Sequence, residues 1–407
     1  MLRKYLLSAL LLLSVSAATT VFGQRQRLFQ MQAGDTVPYR IPAITQCKNG
    51  DIIAVSDYRY CKSDIGYGPV DLHYRLSNDQ GKTWGEEQVL ADGTGDERSE
   101  MWRYAYGDCA LIADRTSGEV LAVCVAGKTP YWAATRQNPN RVVRFRSYDN
   151  GHTWDAGREL TDHIYGLFDA RQAGPVSSLF MGSGKIHQSR YVKIGKYYRL
   201  YAAFCTKIGN FVLYSDDFGE NWKVLGNINR SCCPDGDEPK CEELPDGSVI
   251  LSSRANGRMF NIFAFSDVKK GEGEWGVRAK AKAFADIQNA CNGEIILLPA
   301  RRMADKKRVW LALQSVPFGP QRKNVGFFYK ELVTAYENAA QFAQGWVKGL
   351  QVSHDYSAYS TFTLQKNGKI GFLWEEGSTC DGAGYNIDYE PLTIEAITDG
   401  RYKFDKR

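Results

Sequence analysis

The chain has 407 residues, of which 43% are hydrophobic and 24% charged, and its formal net charge is only +5. This small excess of positive charge argues against nucleic acid as a main partner. With five histidines and no Cys-x-x-Cys pair, the sequence offers no recognisable zinc ligand set, so we expect neither a metal nor a cofactor.

The N-terminus has the features of a targeting segment. Arg3 and Lys4 precede an apolar run from Leu6 to Ala17, which is too short, with these flanks, to serve as a transmembrane helix. We therefore expect residues 1–23 to be a signal peptide. The protein is then exported (periplasmic, cell-surface or secreted), and no other stretch is long and apolar enough for a transmembrane segment.

A motif of the form Ser-x-Asp-x-Gly-x-Thr-Trp occurs three times along the chain. The copies, called Asp boxes below, are Ser77–Trp84, Ser147–Trp154 and Ser215–Trp222, the last with Asn in place of Thr, and they begin 70 and then 68 residues apart. In each box the Asp and Ser can hydrogen-bond the local backbone and the Gly permits a positive φ, which is typical of a tight turn. An alternating strand precedes each turn, so the sequence predicts a repeated β-hairpin unit.

The number of units follows from the length of the chain after the signal peptide. Roughly 385 residues at about 60 residues per unit give about six units, which lies in the range of β-propellers. A weaker fourth copy, with Ser266, Asp267 and Trp275, extends the period. We therefore predict an all-β fold, a six-bladed β-propeller with Asp-box turns, as a single domain over residues 24–407. A segment rich in Ala, Glu and Gln predicts a small inserted helix near 329–346.

Charged residues stand next to strand ends at several places outside the boxes. Arg40 lies in Tyr39-Arg40-Ile41-Pro42, Arg59 ends Asp57-Tyr58-Arg59, and Asp64 precedes Ile65-Gly66. Taken singly, Arg40 is typical of an edge strand because Pro removes a backbone donor, and Asp64 is typical of a turn. In combination with the boxes, their order and spacing resemble the exported bacterial exo-sialidases (neuraminidases), and the resemblance covers the chain from Arg40 to Glu375.

The resemblance implies three catalytic residues. Asp64 matches the family's general acid, Glu238, shortly before Arg254, matches its general base, and Tyr359, in Ala358-Tyr359-Ser360, matches its nucleophile. Glu243 is a rival for the place of the base, and we prefer Glu238 because it stands ahead of a Pro.

The resemblance also implies a substrate-binding set, which consists of Arg40, Arg59, Arg254, Arg322 and Glu375. Three of these arginines match the residues that hold the substrate carboxylate in the family. Arg59 matches a residue near the ring hydroxyl groups, and Glu375 matches a carboxylate that braces the first arginine.

The chemistry of sialic acid explains these residue types. Its carboxylate is attached directly to the anomeric carbon, so three guanidinium groups offer planar, bidentate recognition that lysine cannot match. A carboxylate nucleophile would repel that group, whereas a neutral phenol would not. A phenol with a pKa near 10 needs a base beside it before it can attack.

Three more residues are candidates for lining the pocket around the N-acetyl and glycerol groups of the sugar, namely Trp102, Asp108 and Trp132. The assignment of the third arginine depends on a local pattern, and Arg308 is a rival to Arg322.

The function implied by the resemblance is that of an exo-α-sialidase. It would hydrolyse terminal sialic acid from glycoproteins, glycolipids or oligosaccharides, with retention through a tyrosyl-sialyl intermediate, and act as a monomer on sialylated glycans. A trans-sialidase or a hydrolase of related nonulosonic acids would use the same chemistry. A non-catalytic sialoglycan-binding propeller, or a propeller with a purely structural role, would not need the catalytic residues, and fold alone does not separate these functions.

Overall fold

The computed structural model describes residues 24–31, 39–94, 104–287, 291–334, 337–377 and 384–406. Within them the chain forms six sheets in a ring, which confirms the predicted all-β, six-bladed β-propeller. None of the helices in this part of the chain is long and apolar enough to cross a membrane. The expected signal peptide, residues 1–23, and the candidate Trp102 lie outside the described residues.

The blades follow one another along the chain and have four or five strands each. The strands of the first half are β1 (Gln26–Phe29); β2 (Tyr39–Gln46), β3 (Ile52–Tyr58), β4 (Asp71–Ser77) and β5 (Gln88–Ala91) of blade 1; β6 (Tyr106–Ala113), β7 (Val120–Ala126), β8 (Arg141–Ser147) and β9 (Arg158–Glu159) of blade 2; and β10 (Leu179–Met181), β11 (Gly184–Lys185), β12 (His187–Ile194), β13 (Tyr197–Thr206), β14 (Gly209–Ser215) and β15 (Lys223–Val224). Of these last six, β11 pairs in parallel with β6 of blade 2, and the others form blade 3.

The second half repeats the arrangement. Its strands are β16 (Pro239–Glu243), β17 (Val249–Arg254), β18 (Arg258–Asp267), β19 (Glu272–Trp275) and β20 (Ala279–Lys280) of blade 4; β21 (Ile295–Arg302), β22 (Arg308–Pro317), β23 (Val325–Glu331), β24 (Val347–Gln351) and β28 (Tyr402–Phe404) of blade 5; and β25 (Ser360–Leu364), β26 (Ile370–Glu376) and β27 (Asn386–Leu392) of blade 6. The helices are α1 (Thr161–Gly166), α2 (Ala339–Phe342) and α3 (Ile394–Ile397), with one 3₁₀ turn at Lys282–Phe284.

The ring closes by pairing its two ends. Strand β1 pairs antiparallel with β27, so the N-terminal strand completes blade 6. Arg25 and Arg27 both bind the buried Asp388 on β27, at 2.5 Å and 2.9 Å. This closure brings blade 6 against blade 1. Strand β2 of blade 1 therefore contacts β25 of blade 6 on one side and β6 of blade 2 on the other.

The inserted helix is shorter than the sequence predicts. The first residues of the segment near 329–346 continue strand β23, and among the residues of the segment that the structure describes only α2 is helical. The side chain of Asn338 accepts a hydrogen bond from the Gln341 backbone, which caps the start of the helix. Gly345, at φ 74°, follows the helix, and Trp346 stacks on Phe260 of blade 4 at 5.5 Å. Packing between blades 4 and 5 therefore limits this helix to a single turn.

Each Asp box joins the third and fourth strands of a blade. In the first box, Asp79 accepts hydrogen bonds from the Lys82 and Thr83 backbones at 3.0 Å and 2.9 Å and from the Thr83 hydroxyl at 2.6 Å. Ser77 accepts from the Gly81 backbone at 2.8 Å. A Cβ on Gly81 would lie 2.2 Å from the Tyr389 hydroxyl of blade 6, so only glycine fits where the box contacts the preceding blade.

Two faces of the propeller follow from the strand directions. Because neighbouring strands are antiparallel, the start of each first strand and the turn between the second and third strands lie at the same face. The turn between the third and fourth strands lies at the opposite face. The Asp boxes therefore occupy one face, while Arg40, at the start of β2, and Asp64, between β3 and β4, occupy the other.

We predict that Asp79→Ala lowers the free energy of unfolding by about 1 kcal/mol, because the turn loses its shared acceptor. Hydrogen bonds from Thr83 lower the pKa of Asp79 from 3.8 to about 2, so the ionised form stabilises the fold. The difference between the wild type and the variant is therefore full above about pH 4 and shrinks as the pH falls toward 2. Urea unfolding at several pH values measures it, and Glu86→Ala, at an exposed acid two residues beyond the box, should show no such difference.

Candidate active site

A cavity of about 430 Å³ opens at the face that carries the first-strand starts. Seven of the eight residues predicted for the site line it, namely Arg40, Arg59, Asp64, Glu238, Arg254, Arg322 and Tyr359. They come from blades 1, 4, 5 and 6, so the ring brings together residues that are more than 300 positions apart in the chain. The eighth, Glu375, lies behind the wall of the cavity.

Tyr359 and Glu238 are in direct contact. The Tyr359 hydroxyl donates to Glu238 Oε1 at 2.5 Å, and Glu238 Oε2 accepts from Arg254 Nη1 at 2.8 Å. Burial raises the pKa of Tyr359 well above its ordinary value, and the nearby Glu238 carboxylate raises it further. The phenol is therefore protonated in the free protein, and its proton already points at a carboxylate that can accept it.

Three guanidinium groups surround the same tyrosine. The Cζ atoms of Arg40 and Arg322 each lie 5.6 Å from the centre of the Tyr359 ring. Arg254 Nη1 lies 3.4 Å from the Tyr359 hydroxyl oxygen. Such a concentration of guanidinium charge in one cavity is suited to an anionic ligand with planar oxygen pairs.

Glu375 ties two of these elements together. Its Oε1 accepts from Arg40 Nε at 2.7 Å and from the Ile41 backbone at 2.9 Å, and its Oε2 accepts from the Tyr359 backbone at 3.0 Å. Glu375 itself is fully buried. Ile41 sits in a bulge of β2 with φ 53°, a costly conformation for a β-branched residue, which the Glu375 contact helps to hold.

Asp64 differs from Glu238 in its exposure to solvent. Its side chain is 63% exposed, against 11% for Glu238. Asp64 Oδ1 accepts from the Ile65 backbone at 2.9 Å and lies 3.3 Å from Arg59 Nη1. A carboxyl group at the mouth of the cavity can exchange a proton both with a ligand in the cavity and with water from the solvent.

Arg59 is the centre of a second charged cluster, of which the sequence predicts Arg59 and Asp108 but not Asp57. Arg59 Nη2 lies 2.9 Å from Asp57 and 3.2 Å from Asp108, and both acids are buried or nearly so. Burial raises the pKa of Asp108 well above its ordinary range, and the Asp57 charge adds to the effect. The Asp57-Tyr58-Arg59 motif is the one signal in the sequence for Asp57, and it does not indicate that this acid binds Arg59.

Other cavity residues carry little signal in the sequence. Trp132, a predicted candidate, and its neighbour Tyr131 both line the cavity beside Phe180. Asp237 also lines it, with Oδ2 at 3.4 Å from Arg254 Nε. Aromatic residues are common in propeller blades, so only the tertiary structure distinguishes the aromatic residues of the cavity from those of the core.

The structure places the two rival residues away from the cavity. Glu243 is fully buried, and it accepts from the Ser189 hydroxyl at 2.6 Å. Arg308 lies on the surface of blade 5, where Nε donates to Asp405 at 2.8 Å. No group of three or more His, Cys, Asp or Glu side chains is arranged to hold a metal ion anywhere in the described ranges.

Residues 65–326 match the family model of the BNR repeat-like domain. A sialidase of Micromonospora viridifaciens is 27% identical over 376 residues, which cover 88% of this chain and 54% of that protein. A sialidase of Paraclostridium sordellii is 26% identical over 390 residues, which cover 92% of this chain and 87% of that one. The chain therefore spans about half the length of the first relative and most of the second.

Solved structures with this fold include an intramolecular trans-sialidase from Ruminococcus gnavus, with a TM-score of 0.68 at 16% identity over 88% of this chain and 95% of that one. A sialidase from Trypanosoma rangeli has a TM-score of 0.64 at 17% identity over 92% of this chain and 59% of that one. Identities this low show the shared fold alone. With the BNR repeat-like model matched over most of the propeller and sialidases aligned along nearly the whole chain, the protein belongs to the bacterial sialidase family.

Proposed function

We propose that the protein is an exo-sialidase that hydrolyses terminal sialic acid from glycoproteins, glycolipids or oligosaccharides. The observation that carries the proposal is the 2.5 Å contact between the Tyr359 hydroxyl and Glu238 inside a cavity lined by three arginines. A buried phenol next to a carboxylate is a pair suited to covalent catalysis at an anomeric carbon that carries a carboxylate group.

Substrate binding begins with the carboxylate of sialic acid. Arg40, Arg254 and Arg322 bind its two oxygens, with the guanidinium of Arg40 fixed by Glu375 at 2.7 Å. Because Arg40 and Arg322 both lie 5.6 Å from the Tyr359 ring centre, a carboxylate held between them brings the attached anomeric carbon toward the phenol oxygen.

The first chemical step transfers the sugar to the protein. Glu238 accepts the phenol proton while the Tyr359 oxygen bonds to the anomeric carbon, and the bond to the leaving oxygen breaks. Asp64 donates a proton to that oxygen, and the aglycone leaves through the open side of the cavity. The positive charge of Arg254, 3.4 Å from the phenol oxygen, favours loss of the phenol proton during the attack.

The second step releases the sugar. Asp64, now ionised, removes a proton from water, whose oxygen bonds to the anomeric carbon while the bond from that carbon to the Tyr359 oxygen breaks. The Tyr359 oxygen recovers its proton from Glu238. Two displacements at one carbon leave its configuration unchanged, so the product is released with retention. The high exposure of the Asp64 side chain, 63%, supports water as the acceptor.

A trans-sialidase is the second candidate, because structures with this fold include intramolecular trans-sialidases from Ruminococcus gnavus and from a leech. The two activities share the first step and differ in what attacks the intermediate. We also propose that residues 1–23 direct export and that the rest of the chain acts as one catalytic domain, as a monomer, outside the cytoplasm.

We predict that the purified protein converts 3′-sialyllactose into lactose and free sialic acid, without added metal. Proton NMR of the reaction mixture identifies the product and, at early times, its anomeric form. The α-anomer should appear first. If only an anhydro sugar or a new sialoside forms, the protein is a trans-sialidase and the proposal of hydrolysis is wrong. If no α2,3-, α2,6- or α2,8-linked sialoside is turned over, the proposal of an enzyme is wrong.

We predict that Tyr359→Phe lowers turnover on the order of 10³-fold or more while the protein stays folded, because the variant lacks the attacking oxygen. The matched control is Tyr402→Phe, which removes a hydroxyl that donates to Glu331 at 2.9 Å on blade 5, far from the cavity. The control should retain wild-type turnover, with both melting temperatures measured alongside. Near-normal turnover in Tyr359→Phe means that another residue is the nucleophile.

We predict that Arg322→Lys lowers kcat/KM by about 10- to 100-fold, because lysine cannot bind a carboxylate with two parallel hydrogen bonds. Arg308→Lys makes the same change at the rival arginine, which pairs with Asp405 on the surface, and should leave kcat/KM unchanged. Steady-state kinetics on one sialoside compare the two variants. Equal losses in both would remove Arg322 from the binding site.

A further inference from the structure

A second cavity lies outside the candidate active site, between blades 3 and 4. Its volume is about 370 Å³, against about 430 Å³ for the active-site cavity, so it has room for one sugar of similar size. Among the residues that the structure describes, no residue lines both cavities. The steps proposed for the reaction therefore leave the second cavity without a role.

The second cavity opens at the same face of the propeller as the active-site cavity. Ile208 lines it from the turn between β13 and β14, the second and third strands of blade 3, and such turns lie at that face. Residues 229–234 also contribute to it, and they belong to the segment between β15 and β16 that continues to Asp237 and Glu238 of the active site. Because Pro234 and Asp237 are three residues apart, their Cα atoms are separated by at most about 11 Å. One glycan can therefore reach both cavities.

The wall of the second cavity is positively charged. Three arginines line it, namely Arg171, Arg230 and Arg278, and none of the described residues in its lining is acidic. Asp235, which is not part of the lining, pairs with Arg278. In the described part of the chain, no acidic side chain lies within ion-pair distance of the other two arginines. Three positive charges beside one negative charge attract an anionic ligand.

The arginine nearest to blade 2 along the chain is held in place by neutral acceptors. Arg171 Nε and Nη1 donate to the backbone oxygens of Ile228 and Gly174, both at 2.8 Å, and the residue is half-buried. These contacts fix the guanidinium without neutralising it and leave its Nη2 group for a ligand. Asn229 contributes a further N–H donor, because its side-chain oxygen is already occupied by the Gln172 backbone at 2.8 Å.

The second cavity also has an apolar part. Ile208 and Val277 line it and are 37% and 83% exposed, and Pro234 in the same wall is exposed as well. Aliphatic side chains beside a few polar groups are typical of sites for organic ligands, in which the apolar part contacts carbon and the polar groups fix the orientation. A small inorganic anion would leave the aliphatic surface unused. The combination therefore favours a sugar that carries an anionic group.

We propose that the second cavity binds an acidic sugar, one that carries a carboxylate or a sulfate ester, on the same glycan whose terminal sialic acid enters the active-site cavity. Guanidinium groups bind either anion through paired N–H donors. The coupling to turnover rests on the proposed function, whereas the binding of an acidic sugar does not. A glycan held at one cavity presents its second acidic sugar to the other at high effective concentration, so substrates with two acidic groups are preferred.

Binding is tested with two sugars that carry no sialic acid. Lactose 3′-sulfate presents a sulfate ester and methyl β-glucuronide a carboxylate, while lactose and sodium sulfate are the neutral and inorganic comparisons. We predict that Arg230→Gln weakens binding of at least one acidic sugar by about 10-fold, measured by calorimetric titration, because a charged hydrogen-bond donor is lost. Arg230 is exposed, so melting temperatures should not change. The matched control is Arg158→Gln, at a 58% exposed arginine that pairs with Glu220 of the third Asp box on the opposite face.

The titrations also identify the anion. A loss of affinity confined to one of the two acidic sugars shows whether the second cavity takes a sulfate ester or a carboxylate, and a loss for both shows that it takes either. Four results overturn the proposal: equal binding of lactose, equal binding of sodium sulfate, an equal loss in Arg158→Gln, or no loss in Arg230→Gln.

The coupling to turnover is tested with substrates that differ in their second acidic group. We predict that Arg230→Gln lowers kcat/KM by about 10-fold for α2,8-linked disialyllactose or for a sulfated sialyllactosamine and leaves kcat/KM for 3′-sialyllactose within about 2-fold of the wild type. An equal change for all three substrates overturns the coupling. If the wild type turns over no sialoside, the proposed function is wrong and the titrations alone decide whether an acidic sugar binds. If turnover is normal and Arg230→Gln matches the wild type in every measurement, only the second site is wrong.

Discussion

The hydrogen bonds of the Glu375 carboxylate hold together the elements that form the candidate site. The carboxylate is fully buried and accepts three N–H groups, from Arg40, Ile41 and Tyr359, which belong to blades 1 and 6. A buried charge is costly unless its lone pairs are filled, so these three donors and the acid require one another. Because blades 1 and 6 meet only where the ring closes, pairing of the N-terminal strand β1 with β27 is a condition for the site as well as for the fold.

The two faces of the propeller carry different features, the Asp boxes on one and the candidate site on the other. Turns between third and fourth strands carry the Asp boxes, whose glycines press against the preceding blade, as Gly81 does against Tyr389. The starts of the first strands and the turns between second and third strands carry charged residues that a compact core would exclude. Strained residues such as Ile41 and Asp108 occur at that second face, where a buried acid holds each amide. Residues of the face that carries the cavity can therefore depart from the repeat without loss of the Asp-box turns.

Much of the fold could be predicted because its signals are local. An Asp box contains its own hydrogen-bond partners within eight residues, and its recurrence requires a repeated sheet. The helix near 329–346 was predicted too long, because composition does not show that β23 continues through the start of that segment. The preference for Glu238 over Glu243 depended on a neighbouring Pro alone for a similar reason. The two lie five positions apart, and only the tertiary structure shows that Glu238, just before β16, lines the cavity while Glu243, at the end of β16, is buried against Ser189.

The sequence by itself determined the repeated hairpins and the short motifs that carry the predicted arginines, acids and tyrosine, because each of these signals lies in neighbouring residues. The number of units followed from the spacing of the boxes and the length of the chain. Only the tertiary structure decided which side chains meet. The contact between Tyr359 and Glu238 joins positions that are 121 residues apart. The link from Asp57 to Asp108 crosses from one blade to the next. Such contacts depend on the closure of the ring and on the bulges in the first strands of the blades, and a single stretch of chain does not determine either feature.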